Sequence, residues 1–343
     1  MKKIILGVCS LFLLAACGSN ESKPEATESK EVNVYTHRHY DADKELFAYF
    51  EKETGIKVNV VSAKADELIN RMEVEGAQSP ADVLITVDAG RLYRAKEKGL
   101  FQSFELKNET CPAHLMDADK QWVSLTQRGR VVVYSKERVD PSTITSFEDL
   151  TKPEWKGKVL VRSSSNLYNQ SLMASLIHHY GEEAAEKWAT DLVANMARSP
   201  KGNDRDQVKA ILSGQGDVAI VNTYYIGKLL NSKYSLERAA GEAVGVIFPT
   251  QGNSGVHMNV SGAGVTKYAP NKENAVKFIE YLLSEKAQNV FAKANYEYPV
   301  HPNVQPSDLL SSWGTFAADS IDLSVLGANN QKAVMLFDKA GWK

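Results

Sequence analysis

The sequence predicts an α/β protein of two lobes, built on largely parallel sheets. Short apolar runs alternate with amphipathic stretches along the chain, the pattern of strands that feed helices. About 310 residues follow the N-terminal region, more than one hydrophobic core usually holds. Gln127 to Ser135 reads as a strand long enough to pass from one lobe to the other, and a return passage is expected near Ile247 to Gly252. No internal repeat recurs at a fixed period, which argues against a solenoid or propeller.

The elements follow in chain order. Lys2 and Lys3 precede an apolar run from Ile4 to Ala16, the proportions of a secretory signal peptide and too short to span a membrane stably. Its end, Leu14-Ala15-Ala16-Cys17-Gly18, resembles the bacterial lipobox, in which the cysteine is acylated and becomes the first mature residue. Residues 1–16 are therefore expected to be a lipoprotein signal peptide, with Cys17 as the lipidation site. Residues 17–30 carry one alanine and no Val, Leu, Ile, Met or aromatic side chain, so a flexible lipid-anchored tether is expected. That places the protein in the periplasm or on the cell surface, held at a membrane.

Beyond the tether the first unit is complete. Val32 to Tyr35 reads as a strand, Asp41 and Asp43 as N-cap candidates, Leu46, Phe47 and Phe50 as a helical face, Gly55 as a C-cap, and Ile56 to Val61 as the next strand. Asp82 to Thr86 leads into a helix ending near Gly99. Lys158 to Val161 leads into one reaching Tyr180-Gly181, and Asp217 to Val221 into one from about Thr223 to Leu230. The first lobe is expected to comprise residues 31–128 plus 251–302, and the second 129–250 plus 303–343.

Composition narrows the function. The 343 residues carry 40 Lys+Arg against 42 Asp+Glu, a balance that leaves no basic footprint for nucleic acid. The three cysteines, Cys9, Cys17 and Cys111, include no pair at metal-ligand or redox spacing, which excludes thiolate zinc sites and a thioredoxin-like motif. With Cys17 acylated, Cys111 is the only unmodified thiol of the mature chain. There is no Gly-x-Ser-x-Gly elbow and no His-Glu-x-x-His.

Ligands of open α/β sheets bind at the carboxyl ends of strands, so the strand-to-helix turns carry the chemistry. Three such turns end in tyrosine: His37-Arg38-His39-Tyr40, Ser163 to Tyr168, and Asn222-Thr223-Tyr224-Tyr225. Neighbours in a strand point to opposite faces, whereas in the first turn of a helix they lie about 100° apart and their hydroxyls can converge. A buried strand ending at Val221 with Asn222 or Thr223 as cap favours the helical placement of Tyr224 and Tyr225. There the helix dipole favours phenolate over phenol.

A free phenol has a pKa near 10, so several ionised together require a strong local cation, which a multivalent metal supplies. Soft metals call for Cys or Met, and calcium or magnesium for carboxylates. Hard Fe3+ matches anionic phenolate oxygen best. Three phenolates neutralise it and a fourth leaves one negative charge. Lys228, on the helical face of the tyrosine pair, can offset that charge. Arg128, Arg130 and Arg162 are further cations expected behind the ligands.

His39-Tyr40, Arg162-Ser-Ser-Ser-Asn-Leu-Tyr168-Asn-Gln, Lys201-Gly-Asn-Asp-Arg-Asp-Gln207, Gly216-Asp-Val-Ala-Ile-Val-Asn-Thr-Tyr224-Tyr225, Asn259-Val-Ser-Gly-Ala-Gly264 and Glu297-Tyr-Pro-Val300 together resemble the iron-binding subunits of bacterial ferric-iron ABC importers. The similarity runs from about Val32 to Trp342. It implies a two-lobed periplasmic-binding-protein fold, transferrin-like and of the Venus-flytrap kind, with Fe3+ held in the interlobe cleft as cargo. By matching motifs, His39 and Tyr40 are expected as metal ligands from the first lobe, and Tyr168, Tyr224 and Tyr225 from the second. Protein residues fill most or all of the sphere in the subgroup it resembles. The resemblance further implies a monomer that docks on a membrane permease and catalyses nothing. Lys228 stands where relatives often carry arginine, so a bidentate guanidinium role does not carry over.

Competing readings stand beside these. His37 or a solvent molecule can take the place of His39. Tyr35, Tyr49, Tyr93 and Tyr134 read as core or rim residues, His178-His179 as a helix-end pair, His257 as structural, and Asp204-Arg205-Asp206 as a capping and salt-bridge cluster. For the whole protein the alternatives are capture of a polyamine or organic anion, with carboxylates and Trp lining the site, and an extracytoplasmic enzyme such as an iron-dependent oxidase. A full tyrosinate sphere leaves little open coordination for the latter.

Overall fold

A computed structural model describes residues 29–107 and 110–343. The expected signal peptide, Cys17 and nearly all of the tether lie outside the described residues. The elements run β1 (Glu31–Thr36), α1 (Asp41–Thr54), β2 (Lys57–Ser62), α2 (Ala65–Glu75), β3 (Val83–Thr86), α3 (Ala89–Glu97), β4 (Trp122–Ser135), β5 (Val159–Leu160), α4 (Leu167–Tyr180) and α5 (Glu182–Ala194). They continue with α6 (Asp204–Leu212), β6 (Val218–Asn222), α7 (Thr223–Leu230), α8 (Ser235–Glu242), β7 (Val244–Ile247), β8 (Met258–Val265), α9 (Lys272–Leu283) and α10 (Glu285–Ala294). The chain ends with β9 (Tyr298–Pro299), α11 (Asp308–Ser312), α12 (Ser324–Ala328) and α13 (Asn330–Ala340).

The strands follow the order β2-β1-β3-β8-β4-β6-β5, with β7 and β9 also paired to β4. β4 joins the two halves: Trp122 to Gly129 pairs with β8, and Arg130 to Ser135 pairs with β6 and β7. The expectation of largely parallel sheets is corrected here. β1 is parallel to β2 and β3, and β5 to β6, but β8 runs against β3 and β4, and β6 and β7 run against β4. The physical reason is connectivity, because β4 enters the second half from the first and β8 returns the other way. Strands that arrive from the opposite half run against those that stay.

Side-chain alternation along β4 gives the second half two cores. Val132 faces α4, α5 and α13 together with Val218 and Ile220, while Val131 and Val133 face α6, α7 and α8 together with Ala219 and Val221. The first half has one core, in which Leu46, Phe50, Leu68, Ile69 and Leu92 from α1 to α3 pack with Val260 of β8, Phe278 of α9 and Phe291 of α10. Burying each such side chain contributes roughly 1.5–3 kcal/mol. We assign the elements around these cores to a first and a second lobe.

The stretch from residue 303 onward, expected in the second lobe but patterned to pack on either, is divided. Ile321, Leu323 and Leu326 pack into the first core, and Ala333, Leu336, Phe337 and Trp342 into the second. An amphipathic pattern shows that a face is buried without naming what covers it. The cap of α1 also differs from expectation. Tyr40 is the N-cap, Asp43 accepts a hydrogen bond from the Tyr40 backbone N at 3.3 Å, and Asp41 is exposed beside Lys44. Gly55 closes the helix with φ 71°, the left-handed conformation that glycine adopts without a Cβ clash.

Candidate metal centre

Each of the three tyrosine turns is built by its own local device. After β1, the Arg38 backbone N donates to Thr36 Oγ1 at 3.0 Å and the Arg38 side chain turns inward. Its guanidinium donates to Asp43 at 2.8 Å, Glu297 at 3.0 Å and Thr126 at 3.2 Å, which clamps the turn to α1, β4 and the segment before β9. Tyr40 is thereby held at the start of α1, with Arg38 Cζ 5.1 Å from its ring centroid. Tyr168 occupies the second position of α4, where its backbone N donates to the side-chain oxygen of the Asn166 cap at 3.1 Å. Tyr224 and Tyr225 occupy the second and third positions of α7, directly after β6, so the helical placement holds.

The turns converge. The hydroxyls of Tyr168 and Tyr224 are 3.0 Å apart, the rings of Tyr224 and Tyr225 4.2 Å apart, and the rings of Tyr40 and Tyr224 6.3 Å apart in an edge-on arrangement. Tyr40, Tyr168 and Tyr225 line a cavity of about 360 Å³ with His37, His39, Arg162, Arg205 and Lys228. Tyr224 is 1% exposed behind them. No carboxylate and no tryptophan lines this cavity. Among the described residues no group of three or more His, Cys, Asp or Glu could hold a metal elsewhere. A larger cavity of about 660 Å³ lies between Ser103 to Lys107 and Pro270 to Glu280, and none of these tyrosines lines it.

His39 sits at the exposed rim, its ring 5.3 Å from that of Tyr40 and its Nδ1 3.3 Å from the carbonyl oxygen of His37. His37 also lines the cavity and its Nδ1 has no hydrogen-bond partner. Burial first, and then His39, lower its pKa to about 4, so it is a neutral imidazole at physiological pH.

The helix-dipole expectation for the phenols is overturned without metal. Burial raises Tyr40, Tyr224 and Tyr225 above the ordinary phenol value, with the charge of Tyr168 as the next cause at each. Desolvation of an anion outweighs a dipole worth at most about 2 kcal/mol. Without metal, Tyr40, Tyr224 and Tyr225 are neutral phenols.

Cations surround it. Lys228 Nζ lies 3.6 Å from the ring centroid of Tyr40 and 5.3 Å from that of Tyr224, on the face expected for it. Burial lowers its pKa to about 8, against the opposing pull of Glu297. Arg128, Arg130 and Arg162 place their Cζ atoms 5.6, 5.9 and 5.7 Å from the ring centroid of Tyr168. Arg130 donates to Asp204 at 2.8 Å, Asn222 at 3.0 Å and Asn169 at 2.6 Å, and Arg162 donates to Asp204 at 3.1 Å. Arg128 donates to Ser261 at 3.1 Å, while its Nε and Nη2 are buried with no partner.

The acidic cluster divides its labour. Asn203 is the cap of α6 with Asp206 as its reciprocal partner, and Asp204 bridges Arg130 and Arg162. His257 is buried outside the cavity lining and held near a pKa of about 3 by burial and then Arg130. His179 ends α4 by pairing with Asp319 at 2.7 Å, with the Ser254 hydroxyl 3.0 Å from its Nδ1. Sequence reasoning assigned no role to Arg38 or Glu297. Both stood inside the quoted motifs, but only the fold brings residues 259 positions apart into contact.

The family of bacterial extracellular solute-binding proteins matches residues 78–315. Iron uptake protein A1 of a Synechocystis strain is 48% identical over 336 residues, covering 96% of this chain and 93% of that protein. The major ferric iron-binding protein of Neisseria meningitidis is 27% identical over 317 residues, covering 91% and 93%. Among solved structures, Trichodesmium IdiA (FutA) in complex with iron and citrate ligands superposes with a TM-score of 0.87 at 47% identity, covering 91% of this chain and all of that one. The fold is thus the two-lobed periplasmic-binding architecture. The chain belongs to the bacterial extracellular solute-binding proteins, a solute-binding protein rather than an enzyme, and stands among the relatives named for iron uptake.

Proposed function

We propose that the protein captures ferric iron in the cleft between its lobes, with phenolates from Tyr40, Tyr168, Tyr224 and Tyr225 and the imidazole of His39 as ligands, and delivers it to the membrane permease of an ABC importer. One observation carries the ligand set: four tyrosines from three turns far apart in the chain converge, three of them lining one cavity that is ringed by cations and free of carboxylates and Tyr224 packed against them. Ferric iron displaces the phenol protons, and three phenolates balance its charge. Lys228, protonated below about pH 8, balances the fourth. Tyr40 and His39 belong to the first lobe and the other tyrosines to the second, so the metal itself ties the lobes together.

The anchor completes the reading. Acylation of Cys17 and the tether of residues 17–30 hold a monomer at the membrane that carries its permease. The two lobes comprise residues 31–128 with 251–302 and 129–250 with the end of the chain, apart from the segment around Ile321 to Leu326.

Titrating ferric citrate into the metal-free protein tests the reading. A visible tyrosinate-to-iron charge-transfer band is expected at one equivalent, and Tyr224→Phe with Tyr225→Phe abolishes it. No band at stoichiometric iron would overturn the proposal. A second reading, capture of an organic anion, is favoured by the cationic lining of Arg162, Arg205 and Lys228. It predicts a thermal shift with citrate alone that iron does not enlarge.

A further inference from the structure

Asp88 takes no part in the proposed coordination sphere, yet it is 1% exposed at the mouth of the turn between β3 and α3. It caps α3, its Oδ1 accepting from the Gly90 backbone N at 2.8 Å. Its Oδ2 accepts from Ser171 Oγ at 2.8 Å and from Asn259 Nδ2 at 2.9 Å. Asn259 is itself fixed, its Oδ1 accepting from the backbone N of Ala89 at 3.0 Å and of Val260 at 2.8 Å. Among the described residues no Lys, Arg or His nitrogen lies within ion-pairing distance of Asp88. Hydrogen bonds alone sustain this buried carboxylate, the arrangement in which each donor matters most.

The bond partners come from opposite lobes. Asp88, the cap of α3, and Asn259 on β8 belong to the first lobe, and Ser171 on α4 to the second. Ser171 is three residues beyond Tyr168, so both side chains project from one face of α4. Val87, the neighbour of Asp88, lines the tyrosine cavity beside Tyr168. The carboxylate has no slack either, because a Cβ added at Gly90 would stand 2.8 Å from Asp88 Oδ1.

We propose that Asp88 is a positioning residue for metal capture: through Ser171 it fixes the start of α4, and with it Tyr168, against the first lobe, and this bond must break before the cleft opens. The proposal rests on the ferric-capture reading. It assigns Asp88 and Ser171 control over how long the metal is held, not over whether the phenols bind it. A hydroxyl given to a buried carboxylate is a charge-assisted bond, and its loss corresponds to a release rate about tenfold faster.

Ser171→Ala in the full chain is the test. With iron loaded, release to excess chelator, followed by loss of the visible band, is expected to be about tenfold faster. The band position and the rate of iron uptake are expected to stay as in the wild type. Asp88→Asn, which opposes an amide NH2 to Asn259 Nδ2, is expected to act in the same direction and more strongly. Release at the wild-type rate in Ser171→Ala, or a lowered melting temperature without faster release, would overturn the proposal. Small-angle scattering of the metal-free proteins separates this result from failure of the iron reading. A larger radius of gyration in Ser171→Ala supports the interlobe bond even if the wild type shows no band, and an unchanged radius overturns it.

Discussion

In the proposed site, bound metal sets phenolate charge against the ammonium of Lys228. Without it, Tyr40, Tyr224 and Tyr225 are neutral because burial raises them, and Lys228 is easier to deprotonate because burial lowers it to about 8. The linkage has a definite sign. In unfolded chains a lysine keeps its proton to about pH 10.4, so between about pH 8 and that value the unfolded state binds more protons than the native one, and stability rises with pH. Between pH 8 and 9.5 the urea midpoint of the metal-free protein is expected to gain on that of Lys228→Met by the equivalent of about 1 kcal/mol, while the buried phenols and the Cys111 thiol pull both proteins the other way. Equal slopes in the two proteins would contradict the assignment. In the proposed iron-bound state the same ammonium faces phenolates and is expected to keep its proton.

At the scale of elements, β4 and α6 hold the second-lobe half of the site. β4 alternates apolar residues into two cores and places Arg128 and Arg130 behind Tyr168. Asp204, fully buried at the start of α6, accepts from Arg130, Arg162 and the Asn222 backbone N just before the tyrosine pair. Asp204→Ala leaves buried guanidinium charge uncompensated, and a loss of about 3–5 kcal/mol in denaturant unfolding is expected. A loss below about 1 kcal/mol would show that solvent reaches these arginines. The strand-to-helix units were legible in the sequence because periodicity and capping are local. Strand direction was not, because whether β8 lies parallel or antiparallel to β3 depends on which lobe the chain arrives from.

For the whole molecule, the lobes are joined by β4, by the return segment before β8, and by the stretch through α12 that leaves the first core for the second. Under the proposed function, a metal shared by Tyr40 on one lobe and Tyr168, Tyr224 and Tyr225 on the other acts as a further joint. Its strength depends on pH, since protons compete for phenolate and imidazole. Iron release to a fixed chelator is expected to accelerate steadily from pH 8 to 5, read from decay of the visible band. A rate constant over that range would exclude protonatable ligands. His257 and His37 act in the same direction on the metal-free fold. Both remain neutral when folded, so as pH falls below about 6.5 the unfolded state takes protons that they refuse and stability declines.

The local grammar determined a good deal by itself. It set the helix starts that carry Tyr168, Tyr224 and Tyr225, the crossing strand, and a set of hard oxygen donors suited to a trivalent cation. Those features depend on neighbours within a turn or two, so they can be read along the chain. Tertiary structure decided the rest: that Tyr40 rather than Asp41 caps α1, that Arg38 meets Glu297, that Asp88 reaches Ser171, and that burial keeps Tyr40, Tyr224 and Tyr225 protonated. Contact between distant segments and withdrawal from water exist only once the chain has closed on itself, and both shift energies by more than any local preference.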